Sequence, residues 1–146
     1  MGTVLTIGYR GRALSDLIGA LRAGQVTAVI DVRLRNTSHL AGYTKRDDLA
    51  FLLTEGFGIA YEHRPELAPT DAIFDAHKQG GPWSDYEAAF GQLLVARGAL
   101  EIGRELLLRH DRLCLLCAEG ESDRCHRRLI AEYWASHLGN VEVQHL

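Results

Sequence analysis

Lysine is nearly missing from this chain of 146 residues: Lys45 and Lys78 stand against fourteen arginines, and acidic residues outnumber the two basic types together, 19 to 16. The formal net charge of −3 excludes a protein that coats nucleic acid through bulk positive charge. Cysteine is scarce and odd in number, at Cys114, Cys117 and Cys125, which excludes a disulfide scaffold. Free thiols in a reducing cytoplasm are expected instead. Three scattered prolines leave no room for a proline-rich linker, and no internal repeat is visible. Apolar runs such as Ala28-Val29-Ile30 and Leu106-Leu107-Leu108 fall far below the roughly 20 residues of a membrane span. Met1 to Arg12 lacks the pattern of a secretory leader. What is present is ordinary globular composition, 47% hydrophobic and 24% charged. One domain over 1–146 is expected, with a core of its own.

Period-2 and period-3.6 segments alternate along the chain. Val4 to Tyr9 reads as a first strand, and Leu14, Leu17, Ile18 and Leu21 follow at helical spacing up to Gly24. Thr27 to Val32 is near-continuously apolar, as a buried parallel strand should be. Leu49, Leu52 and Leu53 mark a short helix stopped at Gly56 and Gly58, and Ile59 to His63 a third strand. Pro65 to Trp83 reads as irregular, and Gly80-Gly81-Pro82-Trp83 as either a lid or a turn with a packed tryptophan. Ser84-Asp85-Tyr86-Glu87 has the form of a capping box opening a helix through Phe90, Leu93 and Leu94. Leu100 to Leu108 is a further helix and Leu113 to Ala118 a strand. Ser122 or Asp123 is placed to cap a helix carrying Leu129, Ile130, Tyr133, Trp134 and Leu138, and Val141 to His145 closes the chain as a strand. The pattern predicts a three-layer α/β/α sandwich with a mostly parallel sheet of about five strands.

In such sheets ligands bind beyond the carboxyl ends of the strands. Arg10 and Arg12 follow the first strand; Asp31, Arg33 and Arg35 end the second; His63 and Arg64 end the third. Cys117, Glu119, Arg124, Cys125, His126, Arg127 and Arg128 follow the fourth. Eight of the fourteen arginines fall in these windows. Arginine is suited to forked recognition of phosphate or carboxylate, and the N-terminus of the last helix adds free N–H groups. The windows therefore predict a pocket for an anionic, phosphate-bearing ligand. Arg33 and Arg127 are the expected clamp, with Arg10 and Arg124 beside them. Asp31 and Glu119 are candidates for orienting the arginines or for acid–base work.

The cysteines admit competing roles. Cys114-x2-Cys117 with Cys125-His126 offers four zinc ligands in number, but residues three apart in a strand face opposite sides of the sheet, so no metal site is expected. Cys114 reads as a small core residue. Cys117 has the placement of a thiolate nucleophile, although six residues to Arg124 exceed the spacing of a phosphatase loop. Cys125, near a helix start among arginines, is expected to be acidified. His126 is expected to pair with Asp31 or Glu119, or to sit half exposed, rather than to pair with Cys125, since adjacent helical positions diverge by about 100°.

Thr6-Ile7-Gly8-Tyr9, Asp31-Val32-Arg33 with Ser38, Gly58-Ile59-Ala60-Tyr61, and Leu115-Leu116-Cys117-Ala118-Glu119 followed by Cys125-His126-Arg127 together resemble the domain-of-unknown-function 488 family, from Thr6 to about His145. The resemblance implies that Asp31, Arg33, Cys117, Glu119, Cys125, His126 and Arg127 belong to one site. Histidine is usual in that family where Tyr9 stands, and proline where Asn36 stands. Tyr9 is expected to offer a hydrogen bond in place of the histidine.

Three readings follow. The first is a cytoplasmic enzyme acting on a nucleotide or a nucleic-acid end, with Cys117 or Cys125 as nucleophile. The second is a non-catalytic module binding an anionic small molecule or nucleic acid, indifferent to replacement of both cysteines. The third is a thiol sensor in which Cys117 and Cys125 form a reversible disulfide. No cofactor motif is present, and Arg33→Ala is expected to abolish binding while leaving the fold intact.

Overall fold

The computed structural model describes residues 2–120, 122 and 124–146. Met1 and Asp123, the latter one of two residues expected to cap the last helix, lie outside the described residues. The strands are β1 (Gly2–Gly8), β2 (Ala28–Asp31), β3 (Ala60–His63), β4 (Arg112–Cys117) and β5 (Val141–His145). All pairings are parallel, and the order across the single sheet is β3-β2-β4-β1-β5. The helices are α1 (Leu14–Ala23), α2 (Arg46–Phe51), α3 (Asp71–Lys78), α4 (Trp83–Ala96), α5 (Ala99–Arg109) and α6 (His126–Leu138).

Alternation along the central strands builds two cores on the two faces of the sheet. Val4, Ala28, Ile30, Leu113, Leu115 and Cys117 face α4, α5 and α6, which contribute Phe90, Leu94, Leu106, Ile130 and Trp134. Leu5, Ile7, Val29, Cys114 and Leu116 face α1 and α2, which contribute Leu17, Leu21 and Leu49. The result is the α/β/α sandwich that the alternation implies. Gly103 on α5 lies against the indole of Trp134, where a Cβ would overlap the ring. The missing side chain lets α5 and α6 close over the sheet, with Trp134 Nε1 donating to the Ala99 carbonyl at 2.9 Å.

Three local expectations are corrected. The segment after Pro65 is not irregular throughout: α3 occupies Asp71–Lys78, and the Thr70 hydroxyl accepts from the Ile73 N–H as its cap. α3 is short and none of its residues is fully buried; only Ile73 packs against the core, so its apolar stripe is too brief to stand out in the sequence. The Ser84 capping box does not form, because α4 begins one residue earlier at Trp83, with Pro82 as N-cap. Trp83 stacks on Tyr86 at 4.6 Å between ring centres, next to His77, which makes it a packed tryptophan and not a lid. Ser122 does not cap α6 with its side chain either; the N-cap is Cys125, in extended conformation.

Because every strand runs the same way, all carboxyl ends meet one edge. The register sets Gly8 opposite Cys117, and Asp31 opposite both Leu116 and His63. The order departs from chain order where β4 inserts between β1 and β2, the kind of place where open parallel sheets form their crevices.

Candidate functional site

Two residues past the end of β2, the Arg33 guanidinium folds back onto the Asp31 carboxylate. Arg33 Nε donates to Asp31 Oδ1 at 2.8 Å and Nη2 to Oδ2 at 2.7 Å. The Arg33 N–H, Asn36 Nδ2 and the Tyr61 hydroxyl fill the remaining acceptor sites at 3.1, 3.0 and 2.5 Å. Asp31 is fully buried. Burial alone would raise its pKa, but the hydrogen bonds and charge of Arg33, with Tyr61 and Asn36, hold it below the usual carboxylate range. A carboxylate with five donors on it has no lone pair to offer a substrate proton. Of the two roles foreseen for Asp31, orientation is therefore the one this geometry fits, and Arg33 is the residue it orients.

Arg33 is 5% exposed, and its Nη2 also donates to the Thr44 carbonyl at 2.7 Å. Its Nη1 has no partner among the described residues. The guanidinium lies over the Tyr9 ring, 5.4 Å from its centre. His63 and His126 each hold a carbonyl at the end of β2: His63 Nε2 on Arg33 at 2.9 Å, His126 Nε2 on Val32 at 2.7 Å. A carbonyl can only accept, so each ring has an N–H at Nε2, whatever the state of its Nδ1. His126 thus pairs with backbone, not with Asp31 or Glu119 as expected, and its Nδ1 is left facing Cys125.

At the end of β4 the two thiols meet. Cys117 and Cys125 Sγ are 2.7 Å apart. Cys125 Sγ is 3.9 Å from His126 Nδ1. That proximity corrects the helical argument against the neighbouring pair: Cys125 precedes α6 with φ −133° and ψ 140°, so the 100° divergence of helical neighbours does not apply. Arg127, 1% exposed, donates from Nη1 to Cys117 Sγ at 3.0 Å and to the Glu119 carbonyl at 2.5 Å, and from Nη2 to the Gly120 carbonyl at 3.3 Å. Gly8 makes room for this turn, since a Cβ there would collide with the Glu119 carbonyl.

A buried guanidinium needs a counter-charge. Among the described residues no carboxylate bonds Arg127, and the thiol pair fills that place. The pair shares a proton unevenly. The Cys117 hydrogen bond, then His126 and the backbone N–H at the start of α6, hold the Cys125 thiol far below its ordinary value. Burial pushes Cys117 up. Cys114, on the opposite face among apolar side chains, is also pushed up by burial.

A cleft of about 290 Å³ opens above this edge. Its wall is formed by Tyr9, Arg10, Arg33, Glu119, Cys117, Cys125 and His126, seven of the ten candidate residues. Asp31 stands behind Arg33. Arg127 reaches the thiols from below the wall, and the exposed Arg124 precedes α6 without lining the cleft. Arg127 therefore stands behind the cleft against the sulfurs, with its Nε unpartnered among the described residues. Arg10 bridges to Glu119 at 3.1 Å at the mouth, and Arg35 to Asp71 at 2.8 Å. Leu34, Pro69 and Phe74 make an apolar side that sequence reasoning missed. For Phe74 the signal is the Thr70 cap, which fixes α3 and sets that ring at the rim.

No curated protein and no solved structure matches the chain significantly. The family profile described as domain of unknown function DUF488 matches residues 13–134. That span holds Asp31, Arg33 and the Cys117–Arg127 turn, so the paired edge of β2 and β4 lies within the matched region, and the chain belongs to the DUF488 family.

Proposed function

We propose that the cleft binds a small anionic, phosphate-bearing ligand of about nucleotide size. The observation that carries this reading is that Arg33, a residue lining the cleft, has a buried Nη1 with no acceptor among the described residues. An unsatisfied buried donor costs roughly 1–3 kcal/mol, a cost that an anionic oxygen beside it would relieve. Two features support the reading. The N-terminus of α6 carries no side-chain cap and begins at cleft residues Cys125 and His126, so its dipole favours an anion there. Leu34, Pro69 and Phe74 then offer an apolar flank to the ring of a nucleotide. The rim arginines argue for a discrete ligand and against a nucleic-acid backbone. Arg10 and Arg35 are already paired with Glu119 and Asp71, so they form no continuous basic track.

The test is a thermal-shift panel of inorganic phosphate, sulfate, nucleoside monophosphates and short oligonucleotides. A ligand at 100 times its dissociation constant adds about 2.7 kcal/mol, or about 5–10 °C for a chain of this size. Arg35→Ala should reduce the shift without disturbing the buried Arg33–Asp31 pair. A shift by oligonucleotides alone, or none from any phosphate compound, overturns the reading.

A further inference from the structure

We propose that Cys117 and Cys125 are a hydroperoxide-reactive dithiol that closes reversibly to a disulfide. The proposal rests on the arrangement of the thiols and not on the ligand reading, so either can fail without the other. Four observations converge on it.

The sulfurs are 2.7 Å apart, against about 2.05 Å in a disulfide, so a shift of a few tenths of an ångström from either side chain joins them. Both sulfurs belong to residues that line the cleft, yet each residue is only 2% exposed. With so little sulfur surface open, a reagent of two heavy atoms such as hydrogen peroxide is the oxidant the site suits. The two thiols are supported unequally, which assigns their roles. Cys125, at the start of α6 with His126 Nδ1 beside it, is the attacking thiolate. Cys117, holding the shared proton against it, is the resolving thiol. Finally, Arg127 donates to Cys117 Sγ and has no carboxylate among its described partners, so the thiol pair as a unit is where its counter-charge sits.

The chemistry balances with hydrogen peroxide as the oxidant. The Cys125 thiolate attacks one peroxide oxygen; the S–O bond forms as the O–O bond breaks. The leaving hydroxide takes the Cys117 proton and departs as water, leaving a sulfenic acid on Cys125 and a thiolate on Cys117. The Cys117 sulfur then attacks Cys125; the S–S bond forms, the S–O bond breaks, and the second hydroxide leaves as water with the proton that Cys125 released on ionising. Two thiols lose two electrons and one peroxide becomes two waters. A small dithiol reductant restores the starting state by exchange.

The experiment treats the full chain with a slight excess of hydrogen peroxide and follows intact mass and peptide linkage. The expected result is a loss of about 2 Da reversed by dithiothreitol, a linkage between the peptides holding Cys117 and Cys125, and a Cys114 that alkylates only after denaturation. The rate should be flat between about pH 5.5 and 8, where an ordinary thiol gains about tenfold per pH unit. In Cys117→Ser a dimedone adduct should accumulate on Cys125, and in Cys125→Ser neither adduct nor disulfide should form at a comparable rate. Should either variant fail to fold, the wild-type linkage and pH profile decide alone. No mass loss from the folded protein, a linkage through Cys114, or a rate rising tenfold per pH unit overturns the proposal.

Discussion

β2 and β4 are neighbours in the sheet, and their carboxyl ends open onto the same cleft, yet the two ends are finished in opposite ways. At β2 a buried carboxylate is saturated: Arg33, Asn36 and Tyr61 fill it, and His63 and His126 hold the next two carbonyls. At β4 a buried guanidinium has carbonyls and a thiol for described partners. Such a network leaves a reactive sulfur where its neighbour leaves none. A saturated carboxylate fixes geometry, and a guanidinium without a carboxylate keeps chemistry available. The site needs both, because the β2 end carries the wall against which the β4 end works.

Breaking the β2 network should have the largest effect. Arg33→Ala leaves the Asp31 charge buried without its counter-ion, and breaking a buried pair from one side costs about 3–5 kcal/mol. This revises the expectation that the variant would leave the fold intact. Urea unfolding should show a midpoint shift of that size; a shift below about 1 kcal/mol would mean the pair is not the scaffold of the edge. The same network sets the acid limit. The folded pKa of Asp31 is depressed, so its contribution is fully present above an unfolded value of about 3.9 and is lost as pH falls through the lower folded value. Stability measured from pH 6 downward should fall in that acid window, and Asp31→Asn should flatten the decline.

How much of this was legible follows from how far each feature depends on neighbours in sequence. The five strands were readable because β4 and β1 are buried on both faces and so are continuously apolar, as in Leu113 to Leu116. The edge was readable because parallel strands place Asp31, Cys117 and Gly8 on one side of the sheet whatever the strand order; that β4 lies between β1 and β2 is what makes them neighbours. α3 was not readable, since Asp71–Lys78 is only eight residues long and sets just Ile73 against the core, leaving the Thr70 cap as its clearest local sign. The contact of Cys125 with His126 was misread because it depends on one residue of boundary: inside α6 the two would diverge, and one step before it they do not. The burial of Arg127 was equally hidden, since arginine after a loop looks solvent-facing. Only the close approach of Gly8 to Glu119 shows where that turn lies.

The smallest effect sharpens the comparison from the other side. Arg10–Glu119 has the same chemistry as Arg33–Asp31, a guanidinium on a carboxylate, and lies at the same cleft. Its side chains are 65% and 48% exposed, against 5% and 0% for the inner pair. Solvent screens the outer pair, and two long side chains lose freedom to hold it. Arg10→Ala should therefore change folding stability by no more than about 0.5 kcal/mol, the range of ordinary surface substitutions. Raising salt from about 0.05 to 0.5 M should leave the difference between Arg33→Ala and wild type largely intact, because buried pairs are screened much less than exposed ones. If Arg10→Ala proved as costly as Arg33→Ala, burial would not be what separates the two ends. The rim of the cleft would then be part of its scaffold.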